Sequence, residues 1–476
     1  MTTRVRPGRL PRPCPRALAT VVAAAMASLM LVLAAPALRA QESSVTPDTT
    51  GYVPPRKNAL RAIGEITFIN TAVWSYNRYI RPGGGEGFKI GWTSWNESFE
   101  NGFDWDPNNF STNQFAHPYH GNLYFNAGRS NGFSYWESMG FAFMGSWQWE
   151  FLGEARHPSV NDWVNTSLGG VALGEMTHRL ATTVRDNTAT GGDRFWHEFG
   201  GFFIDPAGGL TRFLSGDMFK VQPNPDDRFP THVGVEGSFG LRTTYVDHIP
   251  ESDTTGWIAS FRFSYGDPFQ PRFRKPYEHF SAYVQLNGEE ENKLGQVDVT
   301  GMLARKRFST GGKAEHILGA YQHYDYLNNR AFELGGQSFS AGLNSRFGAP
   351  GSRYKVVTGV YVAGVVLGAT KSDYENQTAR SYDYGPGFGT RFNGSLVRDG
   401  WDILRLGHDQ YYIHSVNGNR ADHFLSMSYL GVSIPLGPSF ALGGDYQLYL
   451  ADRNYADFPD VEQRSPQVQA YLRAKL

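Results

Sequence analysis

Between Val233 and Leu476 apolar residues recur at every second position, and this alternation limits the possible folds more than any other feature. Val233, Val235, Phe239 and Leu241 alternate with Gly234, Glu236, Ser238, Gly240 and Arg242. Trp257, Ala259, Phe261, Phe263 and Tyr265 alternate with Ile258, Ser260, Arg262 and Ser264. Phe280, Ala282, Val284 and Leu286 do the same, and the pattern returns at Leu442–Leu450 and Val468–Leu476. A period of two sends successive side chains to opposite faces of a strand. Roughly twelve such segments follow one another, separated by polar turns at 289–293, 328–330 and 348–352. About ten residues are enough for a tilted strand to cross a bilayer.

Composition narrows the choice. Aromatic residues make up 14% of the chain and there are 55 glycines, which excludes a disordered protein. Beyond the N-terminus there is no apolar run long enough for a helical membrane bundle. A soluble sandwich also alternates, but a long series of strands ending on an apolar one is better served by closure, which leaves no edge to protect. The expected fold is an all-β membrane β-barrel of about twelve antiparallel strands, residues 228–476, with a preceding α-helical plug or cap. Gly, Ser, Gln, Asp and Arg would line a polar lumen, and Trp257, Tyr265, Tyr354, Trp401 and Tyr429 would form interfacial girdles.

The first forty residues read as a secretory signal peptide. Arg4, Arg6, Arg9, Arg12 and Arg16 precede an apolar stretch from Ala17 to Ala35, and Leu38-Arg39-Ala40 offers a cleavage site. Cys14, the single cysteine, would leave with it, so disulfides and thiolate chemistry drop out. Removal of the six arginines in 1–40 leaves 38 basic against 45 acidic residues, and no basic patch suggests nucleic acid. The expected location is the cell outer membrane.

Residues 41–110 read as a leader and N-terminal segment, in which 61–80 is ambiguous between strand and helix and 92–115 reads as ordered loop. Residues 111–220 read as helical. Apolar residues recur at helical intervals over Phe133–Gly153 and from Trp163 to Met176, with Ser159 as N-cap of the second run. A third helix is expected around Phe195–Phe203, ended by Asp205-Pro206. The glycines punctuating these runs suggest close backbone contact.

The same segment holds the densest group of polar residues. His117, His120, Glu150, Asp162 and Glu175 are the candidate catalytic residues, because histidine and carboxylate on adjoining helices suit acid–base work. Ser130, Ser146 or a water would be the nucleophile, though no Gly-x-Ser-x-Gly elbow marks either serine. Neither a metal nor another cofactor is expected. Glu175-x-x-His178 is only one of the two such pairs a di-iron site wants, and Asp104-x-Asp106-x-Asn108 lacks the later calcium-loop ligands.

Asn113-x-x-x-His117-Pro118-Tyr119-His120-Gly121-x-x-Tyr124-Phe125, Arg129-Ser130-x-Gly132 and Gly145-Ser146-x-x-Trp149-Glu150 continue through Glu154, Pro158-Ser159-x-Asn161-Asp162 and Gly169-Gly170-x-x-x-Gly174-Glu175. This string resembles the bacterial family known as domain of unknown function 3943. The resemblance implies a Gram-negative envelope protein and supplies no reaction. Two functions fit the residues: a binding or transport barrel with a helical plug, or a lipid-modifying hydrolase or transferase using the His117–Glu175 group. The expected partners are outer-membrane lipid and a small-molecule or lipid ligand.

Overall fold

The computed structural model describes residues 51–475 apart from 83–84, 247–252, 289–291, 312, 350 and 376–379. The signal peptide expected at 1–40 lies outside the described residues. Twelve antiparallel strands close into a barrel: β1 (Val233–Thr244), β2 (Thr254–Tyr265), β3 (Phe280–Asn287), β4 (Leu294–Ser309), β5 (Ala314–Asn328), β6 (Glu333–Phe347), β7 (Tyr354–Lys371), β8 (Tyr382–Arg398), β9 (Trp401–His414), β10 (Ala421–Pro435), β11 (Phe440–Tyr455) and β12 (Val461–Lys475). Each strand pairs with its neighbours in sequence, and β12 returns to β1 with Glu236 opposite Lys475.

Ion pairs between distant strands identify the inner face. Asp325 on β5 pairs with Arg391 on β8, and Arg405 on β9 lies 3.0 Å from Asp445 on β11. The first pair spans two intervening strands and can meet only across the interior of a closed sheet, and the second, reaching over Gly431 of β10, lies on the same face. The alternate residues therefore point outward, and among them Phe239, Val362 and Phe388 are 63%, 63% and 60% exposed. Of the expected girdle residues, Trp257 and Tyr354 are exposed. Tyr265 and Trp401 are buried instead, and Lys475 Nζ lies 4.0 Å above the Trp401 ring. Tyr429 stands opposite Gly407 in the register that sends Arg405 inward, so it too faces the lumen.

The barrel is filled by its own side chains and loops. Phe269, on the β2–β3 connection, is buried with Met302, Ile317, Tyr321 and Tyr361, under the guanidinium of Arg346. At the other end the β5–β6 turn folds inward, where Phe332 packs 5.4 Å from Tyr449 and Gln463 donates to the Ala331 carbonyl. Between them, the void lined by Arg262, Tyr283, Arg405, Asp445, Tyr471 and Arg473 measures about 30 Å³, room for one or two waters.

Ahead of the barrel the described residues form α1 (Ala59–Ser75), α2 (Trp92–Asn101), α3 (His117–Ser130), α4 (Tyr135–Gln148), α5 (Val160–Val164), α6 (Gly170–Val184), α7 (Gly191–Ile204) and α8 (Pro206–Ser215). None of them is long and apolar enough to cross a membrane. The ambiguous stretch at 61–80 is thus largely helix, capped by Asn58, which accepts from the Arg61 amide at 3.0 Å. The stretch from 92 read as loop begins with helix α2. Ser134 caps α4 reciprocally with Glu137, whose carboxylate accepts from the Ser134 amide. Ser159 directly precedes α5, but its side chain makes no capping bond. Asp205 and Pro206 end α7 and at once begin α8, Asp205 accepting from the Gly208 amide at 2.7 Å.

These helices lie beside the barrel, against its outer wall, and not within it as a plug would. Val235, Phe263, Ala282, Val299, Tyr324, Gln337 and Leu367 succeed one another in register from β1 to β7, and all are buried. They belong to the outward face, and Phe110, Phe125, Tyr135, Val171 and Leu173 of the helical segment complete their cluster. Tyr135 donates to Gln322 at 2.6 Å, Gln322 to the Leu168 carbonyl, and Tyr324 to the Gln114 carbonyl. Close packing of the aromatics and these hydrogen bonds hold the seam, since a lipid-facing surface gains little from apolar burial alone. The polar lumen lining offers no apolar face of this kind.

Candidate functional site

Three of the five candidate residues come together. His117, Glu150 and Asp162 are all buried, and one ligand-type atom from each lies within 4.8 Å of the others. Irregular helix geometry brings them there. A five-residue π turn, Thr112–Ala116, delivers His117 to the start of α3. A second π turn, Trp149–Gly153, carries Glu150 at the end of α4. A third, Asn165–Gly169, follows α5, which carries Asp162, and leads into α6. Single π turns inside helices occur frequently at functional sites.

The third turn is pressed onto α3 by glycines. A Cβ on Gly121 would stand 1.7 Å from the Thr166 carbonyl oxygen, and one on Gly170 would stand 2.4 Å from the Gly121 carbonyl carbon. Only glycine permits backbones to cross this closely. The crossing sets the height of Asp162 relative to His117.

Each of the three side chains has one atom anchored. The His117 Nδ1 lies 3.3 Å from the Thr166 hydroxyl. Glu150 Oε2 accepts from the Ser159 amide at 2.8 Å, and Asp162 Oδ1 from the Asn161 side chain at 2.7 Å. Of the remaining atoms, His117 Nε2 stands 3.7 Å from Asp162 Oδ2, and Glu150 Oε1 has no hydrogen-bond partner. Burial pushes the Glu150 carboxyl well up, helped by the nearby Asp162, and does the same for Asp162, helped by Asp106. Glu154, which accepts from the Trp149 indole at 2.8 Å, is pushed up to about 7, chiefly by burial.

His120 is a neighbour of this group with its own partners. Its Nε2 lies 2.9 Å from the Tyr124 hydroxyl, which in turn donates to Asn70, and its ring meets Trp149 edge-on. Burial and the adjacent His117 lower its pKa to about 3, so it is neutral. Glu175 belongs to a different cluster. Arg129 Nε and Arg179 Nε reach its two oxygens at 2.6 and 2.8 Å. Burial alone would raise its pKa, but the two arginines outweigh that and lower it. Its helix neighbour His178 faces Asp205 at 3.6 Å. Among the described residues, neither Ser130 nor Ser146 hydrogen-bonds to a histidine, and the Ser146 hydroxyl is buried without a partner.

Two further features of the site were not among the candidate residues. Asp106 lies at its edge, where its Oδ2 accepts from the Asn108 amide in a capped turn and its amide donates to Asn161. The barrel contributes Arg380, which donates to the Asp106 carbonyl, and Tyr384, which receives the Asn161 and Gln114 amides. Asp106 had a faint signal in its Asp-x-Asp-x-Asn spacing. The two barrel residues had none, being more than two hundred positions away in the chain.

Residues 102–207 match the family model described as domain of unknown function (DUF3943), and His117, Glu150 and Asp162 all lie within that span. No curated protein matches the sequence. Solved outer-membrane barrels are similar at low overlap. The match to the NanC porin spans 50% of this chain and 100% of that one, with 10% identity and a TM-score of 0.26. For OpdO of Pseudomonas aeruginosa the figures are 52%, 98%, 10% and 0.20. For OmpT of Vibrio cholerae they are 51%, 97%, 8% and 0.21.

Proposed function

We propose that the chain is an outer-membrane β-barrel of the binding and transport kind, shut in this state by its own loops. The observation that carries this reading is the sidedness of the wall. An apolar exterior surrounds a lumen lined by Arg262, Asp298, Asp325, Arg391, Arg405 and Asp445. An apolar exterior suits lipid, and a charged interior suits a polar ligand. Passage is blocked by Phe269 at one mouth and Phe332 at the other, so the gate is made of loops and not of the helical segment. In planar bilayers the intact protein should be silent, and Phe269→Gly combined with Phe332→Gly should produce conductance steps. Silence of the folded double variant would overturn the transport reading.

One observation favours a second reading, chemistry on a lipid-phase ligand. The buried His117–Glu150–Asp162 group sits in a layer applied to the outward face of the wall and not to the lumen. The layer's surface exposes Trp92, Trp136, Phe195, Trp196 and Phe213, aromatic residues suited to a lipid interface. His117→Ala should then alter the lipid profile of the host envelope while the barrel still folds. An unaltered profile would exclude it.

A further inference from the structure

The surroundings of His117 are rich in carboxyl groups. Asp106, Glu150, Glu154 and Asp162 converge there. The guanidinium groups facing them are Arg156, 3.6 Å from Asp106 and largely exposed, and Arg380, which is bonded to the Asp106 backbone carbonyl. Glu150 is only 2% exposed, yet its Oε1 has no hydrogen-bond partner. An unsatisfied buried carboxylate oxygen is costly unless something occupies the position opposite it.

We propose that His117, Glu150 and Asp162 bind a divalent first-row transition cation. The distances suit it. A cation about 2.1 Å from each donor holds pairs of donors about 3–4 Å apart. His117 Nε2 and Asp162 Oδ2 stand 3.7 Å apart, too far for a hydrogen bond and right for two ligands of one ion. One donor atom from each of the three residues lies within 4.8 Å of the others.

The outer hydrogen bonds are those a metal site requires. Thr166, Ser159 and Asn161 each hold the atom of a ligand that would face away from the ion, which fixes the orientation of the other. One imidazole with two carboxylates favours zinc, manganese or iron over calcium and magnesium, which prefer all-oxygen shells. Three protein donors leave a position open for water or a ligand. The site does not depend on whether the lumen transports.

The test uses the full protein in detergent, freed of metal with a chelator and titrated with Co²⁺. Visible ligand-field absorption should saturate at one equivalent and be displaced by Zn²⁺ but not by an equal concentration of Mg²⁺ or Ca²⁺. His117→Ala and Asp162→Asn should weaken binding at least about tenfold, while the exposed Glu97→Gln should not change it. Heat-modifiable migration in gels establishes that each variant is folded. Absence of the band in the wild-type protein would overturn the proposal, as would equal competition by Mg²⁺ or undiminished binding by a folded His117→Ala protein. The wild-type titration decides even if a variant fails to fold.

Discussion

At the scale of single residues, burial separates the two groups of charge that the sequence places close together. Glu175 is fully enclosed but meets two arginines, so it is a structural ion cluster and not part of the His117 group. Replacing it with glutamine removes the carboxylate that Arg129 and Arg179 share and leaves Arg179 only Asp227, 3.9 Å away, at a cost of about 3–5 kcal/mol. The arginines hold the folded-state pKa of Glu175 below its ordinary value of about 4.3. Its stabilisation is therefore complete above that value and is lost as pH falls through the lower, folded-state one. Unfolding followed by tryptophan fluorescence should show Glu175→Gln less stable at neutral pH and less sensitive to acid in that window. Equal stability of the two proteins at pH 7 would contradict this. The pairing was legible only in part, because Glu175 and Arg179 are one helical turn apart whereas Arg129 comes from another helix.

At the scale of elements, the alternation read from Val233 onward corresponds to the strands found, since a half-lipid, half-lumen wall imposes period two on every strand. The helices were harder. His117–Ser130 is helix despite three glycine or proline positions, Pro118, Gly121 and Gly128, because Pro118 sits in the first turn and the glycines face neighbouring backbone or side chains. Propensity argues against this helix, and packing decides for it. The crossing of α3 with the π turn after α5 should be the least tolerant point of the layer. Gly121→Ala drives a methyl into the Thr166 carbonyl and should destabilise by about 1–3 kcal/mol or more. It should also disturb the His117–Asp162 spacing, whereas Gly140→Ala, with open space around it, should be neutral or stabilising. Thermal unfolding of the two variants distinguishes them, and equal melting temperatures would show that the crossing is not tight.

At the scale of the whole molecule, the helical layer is bound to the outside of the barrel, and this can be tested covalently. An added Cβ at Gly335 on β6 lies 2.7 Å from Gln114 Cγ, close to the separation a disulfide needs. No cysteine follows Cys14, so Gln114→Cys with Gly335→Cys should give one clean cross-link, seen as protection from thiol-directed labelling. Cross-linking of Gln114→Cys to the lumen-facing Ser338→Cys instead would restore the plug. The sequence by itself determined the barrel, its approximate strand number and the helical nature of the preceding segment. These follow from periodicities that each stretch of chain carries alone. It also singled out His117, Glu150 and Asp162 as chemically suggestive. Only the tertiary structure decided that these three meet while Glu175 stands apart, that loops fill the lumen, and that the helices lie beside the wall. Those are questions of which surfaces, distant in the chain, come to meet. They are settled by close glycine crossings and by hydrogen bonds between residues hundreds of positions apart, which no local pattern records.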